Sequence, residues 1–256
     1  MARPDIHSWT VAFQQWANAS FEAPPQLSRC SLDSVDSVPE TRRSHMTRVL
    51  LIRHGETHWN RDRRWQGQAN IELNEEGRSQ AARLAVSLAK LEPSLRVIYS
   101  SDLCRAHDTA RQLAAVIGTG IFVDPVWREI AVGSWTGLRR DEIKERFEEE
   151  WQRISAGEDI ARGGGETFAA FSARVVGALE VLRERHPDQL VAVVTHGGAI
   201  SALLLHVLEL PWAQIRDVTG VPNTAVNELV WTGHRWHVTR RNHAPHLEGF
   251  EVGGAT

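Results

Sequence analysis

Apolar runs alternate with amphipathic stretches along most of this chain. Val49-Leu50-Leu51-Ile52 and Leu190-Val191-Ala192-Val193-Val194 carry no polar alternation, the pattern of strands covered on both faces, as in a parallel sheet between helices. The spacing predicts strand 48–53, helix 75–91, strand 96–100, helix 102–117, strand 121–124, helix 139–154, helix 167–185, strand 190–195 and helix 199–209. That order gives an α/β fold: a three-layer α/β/α sandwich with a mainly parallel central sheet. Two later runs, 225–231 and 235–240, joined through Thr232-Gly233-His234, read as a hairpin of edge strands.

Residues 1–46 stand apart as an N-terminal extension. Ile6, Trp9, Phe13 and Trp16 recur at three- and four-residue steps, which predicts a short amphipathic helix packed on the domain's own surface rather than on a membrane or partner. Residues 18–45, rich in Ser, Pro and Asp, read as a flexible linker, and Met46 is a candidate alternative start. Residues 47–247 then form the domain, and 248–256 a C-terminal tail.

The chemistry sits where the strands end. Arg53-His54-Gly55-Glu56-Thr57 follows the first buried strand, and Thr195-His196-Gly197-Gly198 follows the later one. A third segment, Arg96 to Ala106, runs from a short strand through small polar residues able to cap into a helix, so Arg105 falls in the first helical turn, where free N–H groups favour an anion. Two histidines and two arginines thus occupy equivalent strand ends, the place where open α/β sheets bind ligands.

Taken in order, these motifs with Trp59-Asn60, Gln66-Gly67, Leu73 to Gly77, Ser100 to Ala110, Glu129-Ile130 with Gly133, and Gly164-Gly165-Glu166-Thr167 resemble the histidine phosphatase superfamily, with its phosphoglycerate-mutase-like fold, over residues 47–247. The resemblance implies a phosphoric monoester hydrolase with His54 as nucleophile, forming a phosphohistidine that water cleaves. Arg53, Arg105 and His196 would clamp the phosphoryl oxygens, with Asn60 as a neutral donor and Gly197 beside them. Glu129 would protonate the leaving alkoxide, because a carboxyl beside a dianionic phosphate holds its proton. Its bland alternative is a surface glutamate paired with Arg128. Thr57 and Gln66 match positions that often line the pocket, and equally suit a turn or cap. No metal and no cofactor are implied.

Two departures bear on specificity: Asn70 stands where many relatives carry an acid, and Thr136 where many carry glutamate. The resemblance leaves three functions open: a phosphatase acting on a small-molecule phosphate monoester, a phosphoglycerate mutase using the same pocket, and a silent phosphate-binding protein. The stretch from Gly137 to Glu166 lacks the Arg-Arg-Ser-Tyr type of insertion found in mutases, which favours hydrolysis. The resemblance implies that loops around the pocket, here about 61–72 and 131–166, set the substrate; Trp59, Trp65, Trp135 and Trp151 lie in or near the segments around the pocket mouth and serve either it or the core.

Composition narrows the class further. A net charge of −3 with dispersed arginines excludes a nucleic-acid binder by charge. The apolar run Ala199 to Leu210 is too short to span a bilayer, and the first residues lack a secretory apolar core, so no membrane role is expected. Cys30 and Cys104 make no disulfide framework, which fits a reducing cytoplasm. The run Glu145 to Glu150 reads as a solvated helix face and Gly163-Gly164-Gly165 as a flexible helix entrance. An exposed edge hairpin would suit a homodimer.

Overall fold

In a computed structural model, which describes residues 46–248, six strands form one sheet in the order β3-β2-β4-β1-β5-β6. They are β1 (Arg48–Arg53), β2 (Val97–Ser100), β3 (Phe122–Val123), β4 (Leu190–Thr195), β5 (Val226–Trp231) and β6 (Trp236–His243). The first four run parallel to one another, and β5 and β6 are antiparallel additions beyond β1. The expected amphipathic helix, linker and tail lie outside the described residues, save Met46 and Glu248 at their borders.

Strand alternation splits the core in two. Val49, Leu51, Val191 and Val193 face one side, where they pack on α6 (Phe168–Arg185) and α7 (Gly197–Val207) through Phe171, Val175, Leu179 and Leu203. Leu50, Ile52, Ala192 and Val194 face the other, against α2 (Glu75–Leu91) and α3 (Cys104–Ile117) through Leu84, Leu88, Ala106 and Leu113. All four apolar residues of β1 are fully buried, so each contributes about 1.5–3 kcal/mol by burial and truncation to Ala costs about 2–5 kcal/mol. This is the expected three-layer arrangement.

The sheet's topology also places the site. From β1 the chain crosses through α2 to β2, two places away, and β4 later fills the gap between them. From β4 it leaves in the opposite direction, through α7 on the other face, to β5. Adjacent strands whose connections diverge open a crevice at their carboxyl ends. Here that crevice lies beyond Arg53 and Thr195, which are paired in register.

Three expectations need correction. The hairpin is not a pair of edge strands: β5 bonds to β1, and only β6 is an edge. Helix 139–154 is two helices, α4 (Arg140–Arg146) and α5 (Glu148–Ser155), broken at Phe147, which packs against Trp135. The three glutamates that open α5 sit where the helix dipole favours negative charge. No side chain of the preceding small polar residues caps α3; Leu103 occupies the cap, and Asn70 Oδ1 accepts from Cys104 N at 2.8 Å. Asn70 therefore ties the 66–70 loop to this helix.

Candidate active site

Register does the first part of the assembly. Arg53 lies opposite Thr195, so the next residues, His54 and His196, emerge side by side, with ring centroids 5.2 Å apart. Both imidazoles are buried. His54 Nδ1 is 2.7 Å from the carbonyl of Gly55. A carbonyl only accepts, so Nδ1 carries the proton and Nε2 keeps its lone pair. Burial, then the Arg105 and Arg53 charges, hold the His54 pKa well below its ordinary value. His196 is pushed the same way by burial, Arg105, His54 and Arg53. Both rings are therefore neutral at physiological pH.

Around them lie donors without partners. Arg53 Nη1 donates to Val221 O at 2.6 Å, and Arg105 donates to the carbonyls of Ala69 at 2.6 Å and Gly67 at 2.8 Å. Those bonds fix the two guanidiniums while Arg53 Nε, Arg105 Nε and His196 Nδ1 stay buried and unbonded. Burial pulls the Arg105 pKa down to about 10 and lowers that of Arg53 too, yet both remain cations. Buried donors left unsatisfied at one crevice mark an anion site. Asn60 adds a further donor: its Oδ1 accepts from Thr57 N at 3.1 Å and Asn223 Nδ2 at 3.4 Å, which turns its NH2 group outward.

Glu129 reaches the same cavity from a loop. Its Oε2 accepts from Gly198 N, in the first turn of α7, and its Oε1 from Ile130 N, both at 2.9 Å. A side chain at Gly198 would collide with Glu129 Oε1, so glycine there makes room for the carboxylate. The surface pairing of Glu129 with Arg128 does not occur; Arg128 binds Asp102 instead, at 2.7 Å through Nε. Arg174 anchors this loop by donating to the carbonyls of Val126 and Arg128 and to the Glu166 carboxylate.

These groups line one cavity of about 890 Å³, shared by Arg53, His54, Asn60, Arg105, Glu129 and Gly197. Gln66 lines it as well, with Oε1 buried and unbonded. His196 is fully buried beside His54, its Nε2 2.9 Å from Ser101 Oγ, and is not part of the cavity wall. Thr57 is not in the wall: it is fully buried and caps α1 (His58–Arg61), accepting from Asn60 N. Of the four tryptophans expected near the mouth, Trp65, Trp135 and Trp151 line the cavity and Trp59 does not.

The family model of the histidine phosphatase superfamily (branch 1) matches residues 49–244. The chain belongs to the histidine phosphatase superfamily. Among curated relatives, the metal-independent phosphoserine phosphatase of Arabidopsis thaliana is 35% identical over 80% of this chain and 84% of its own length. A glucosyl-3-phosphoglycerate phosphatase of Mycobacterium tuberculosis is 38% identical over 73% of this chain and 86% of its own. Among solved structures, YhfR of Bacillus stearothermophilus superposes with a TM-score of 0.72 at 31% identity, covering 79% of this chain and all of that one. As a histidine phosphatase, the chain is a phosphatase hydrolase.

Sequence reading missed part of this histidine phosphatase site. The segment 212–221 carries Trp212, Arg216 and Val221 into the cavity wall, and Asn223 donates to the carbonyl of His54 at 2.9 Å. Arg162 is buried in the wall and was flagged by nothing. The triglycine beside it is not a flexible entrance. Cβ atoms at Gly133 and Gly165 would strike the backbone at Gly163 and Ala131, so two chain segments cross there in direct contact. Glu166, seen in the sequence only as part of a motif, bonds Ala131 N at 2.8 Å and locks that crossing. Cys104 is free, and burial pushes its thiol pKa up, which suits helix packing rather than nucleophilic attack.

Proposed function

We propose that this histidine phosphatase hydrolyses a small phosphorylated metabolite without a metal ion, through a phosphohistidine on His54, with residues 47–247 as the catalytic unit. The observation that carries the reading is the His54 ring: its Nδ1 proton is held by Gly55 O, so Nε2 is the nucleophilic atom from the start. In the first step Nε2 attacks phosphorus, the P–N bond forms, and the P–O bond to the leaving group breaks in line with it. Glu129 gives its proton to the departing oxygen. Water then attacks the phosphohistidine and passes a proton to the Glu129 carboxylate, which releases inorganic phosphate and restores both groups.

Charge spread over the three equatorial oxygens meets the free Nε donors of Arg53 and Arg105, the Asn60 amide and His196. For His196 the relay is internal. Leu103 N donates to Ser101 Oγ at 3.3 Å; in the tautomer we assign, the Ser101 hydroxyl donates to His196 Nε2, 2.9 Å away, and the ring proton sits on Nδ1. These donors supply the electrostatic stabilisation that a divalent ion gives in other phosphoryl-transfer sites. The relatives named for phosphoserine and glucosyl-3-phosphoglycerate support the substrate class.

The test is phosphate release from a panel of monoesters in excess EDTA, run beside His54→Ala. Release that survives EDTA and vanishes in the variant is the expected result. Dependence on added Mg²⁺ or Zn²⁺ would overturn the metal-free mechanism, and isomerisation of 3-phosphoglycerate without release would make the enzyme a mutase.

A further inference from the structure

Beyond the groups assigned to the phosphate, the cavity holds another buried cation without a partner. Arg162 is 5% exposed, and its Nη1 is buried and unbonded. None of its nitrogens lies within ion-pair distance of a carboxylate among the described residues. Its guanidinium instead sits 5.2 Å from the ring centre of Trp212 and 6.0 Å from that of Phe168. Two neutral donors on the same wall, Trp135 Nε1 and Trp212 Nε1, are also buried and unbonded. A wall presenting three unmet donors calls for an acceptor-rich ligand group, and a desolvated guanidinium calls for an anion.

Which part of the ligand meets this wall follows from Glu129. The acid must face the leaving oxygen, so the rest of the leaving group extends on the Glu129 side of the phosphorus. The turn Arg162–Gly164 is clamped against residues 131–133, directly after Glu129, and the charges of Asp159 and then Glu129 are close enough to oppose the lowering of the Arg162 pKa by burial. Arg162 therefore stands beside the leaving group.

Building on the phosphatase reading, we infer that Arg162 binds a carboxylate carried by the leaving group, which makes the preferred substrates acidic phosphomonoesters. One guanidinium matches the single charge of a carboxylate. A second phosphoryl dianion would need more cations, and the other arginines of the wall, Arg140 and Arg216, are exposed at the mouth, where water and salt screen them. A volume of about 890 Å³ leaves space beyond the acid for a larger substituent against the tryptophans.

Three esters test this in the full-length enzyme: 3-phospho-D-glycerate, D-glycerol 3-phosphate (sn-glycerol 1-phosphate), which replaces the carboxylate by CH2OH at the same C2 configuration, and p-nitrophenyl phosphate. The wild type should prefer 3-phosphoglycerate over glycerol 3-phosphate by about 30-fold in kcat/KM, the range of one charge-assisted hydrogen bond. Arg162→Met should erase most of that preference by raising KM for 3-phosphoglycerate while kcat changes little, and Arg162→Lys should restore part of it. A structural role for Arg162 would depress all three esters alike and leave the preference intact, which would overturn the inference. Equal rates of the two glycerol-type esters in the wild type would overturn it without any variant. If p-nitrophenyl phosphate is cleaved in either of those cases, the phosphatase reading survives; no release from any ester sinks both.

Discussion

The two sides of the cavity are held by different means. On the phosphate side, Arg53, His54 and His196 follow directly from paired strands, and their positions are set by the β1–β4 ladder at the middle of the sheet. On the leaving-group side, Glu129, Trp135 and Arg162 sit on loops that hold one another: 131–133 crosses 163–165, Glu166 bridges the crossing, and Arg174 ties it down. Ladder register admits no small adjustment, because a one-residue slip would turn every side chain to the opposite face. Loops clamped to loops change shape when one residue changes. A fold built this way keeps one reaction and varies what the phosphate is attached to.

The largest expected effect comes from the rigid side. His54→Ala should lower turnover on the order of 10⁴-fold or more for every ester, because no second nucleophile stands at that strand end. Quenched-flow trapping with a radiolabelled ester should find acid-labile phosphoenzyme in the wild type only. If the variant still traps acid-labile phosphate, the nucleophile lies elsewhere.

Next comes the acid. Glu129→Gln keeps only one of the two hydrogen bonds from Gly198 N and Ile130 N, because the amide has a single acceptor oxygen, and it has no proton to give an alkoxide. Phosphorylation should slow about 10²–10³-fold for alkyl esters and under about 10-fold for aryl esters, whose leaving groups need little protonation. Equal slowing for both would remove Glu129 from that role.

These two sides also differ in how much of them the chain reveals. The strands 48–53 and 190–195 and the helix 75–91 are legible to the residue because long apolar runs and regular periodicity leave few alternatives. The site residues attached to them inherit that clarity. Thr57 and Asn60 were legible as a pair near the site, but whether Thr57 capped or lined depended on one local turn. Arg162 and Trp212 were not legible at all: each is a single residue in an irregular segment, and the contact between 162 and 212 is made by tertiary packing alone. The break at Phe147 has the same origin, since a helical pattern runs through it and the non-helical backbone there (φ −133°, ψ 46°) accompanies packing of its ring near Trp135.

A third prediction probes the seam between the two sides. Gly198 belongs to the rigid side, at the start of α7, and Glu129 to the loop side. Gly198→Ala would push its methyl into Glu129 Oε1. The carboxyl must then shift, and a misplacement of about 1 Å costs on the order of 10–100-fold in a positioned proton transfer. The loss should mimic Glu129→Gln by falling on alkyl esters more than aryl ones, with no change in thermal midpoint beyond a few degrees. A uniform loss across esters would mean that the strain passed into the phosphate clamp instead.

The smallest effect is in pH, and it separates the sides by burial. His54 and His196 are held below the ordinary histidine pKa when folded, whereas in the unfolded chain both titrate near about 6.5. Above that pH neither state binds the proton. Below it the unfolded chain binds protons first, so the proton excess belongs to the unfolded state and stability falls with falling pH, by at most about 1.4 kcal/mol per pH unit for each ring. Between about pH 6.5 and 5.5 carboxylates stay ionised in both states, so the buried imidazoles dominate that window. Urea midpoints across it should fall, and because burial holds His206 and His246 low as well, His196→Gln should remove about a quarter to a third of the slope. Phosphoenzyme formation, in contrast, should change by less than about threefold over the same window, because His54 Nε2 is already free of a proton. A stability curve that is flat there, or a nucleophile that loses activity with an apparent pKa near 6.5, would mean that water reaches the strand ends and that the phosphate side is no more sheltered than the loops opposite.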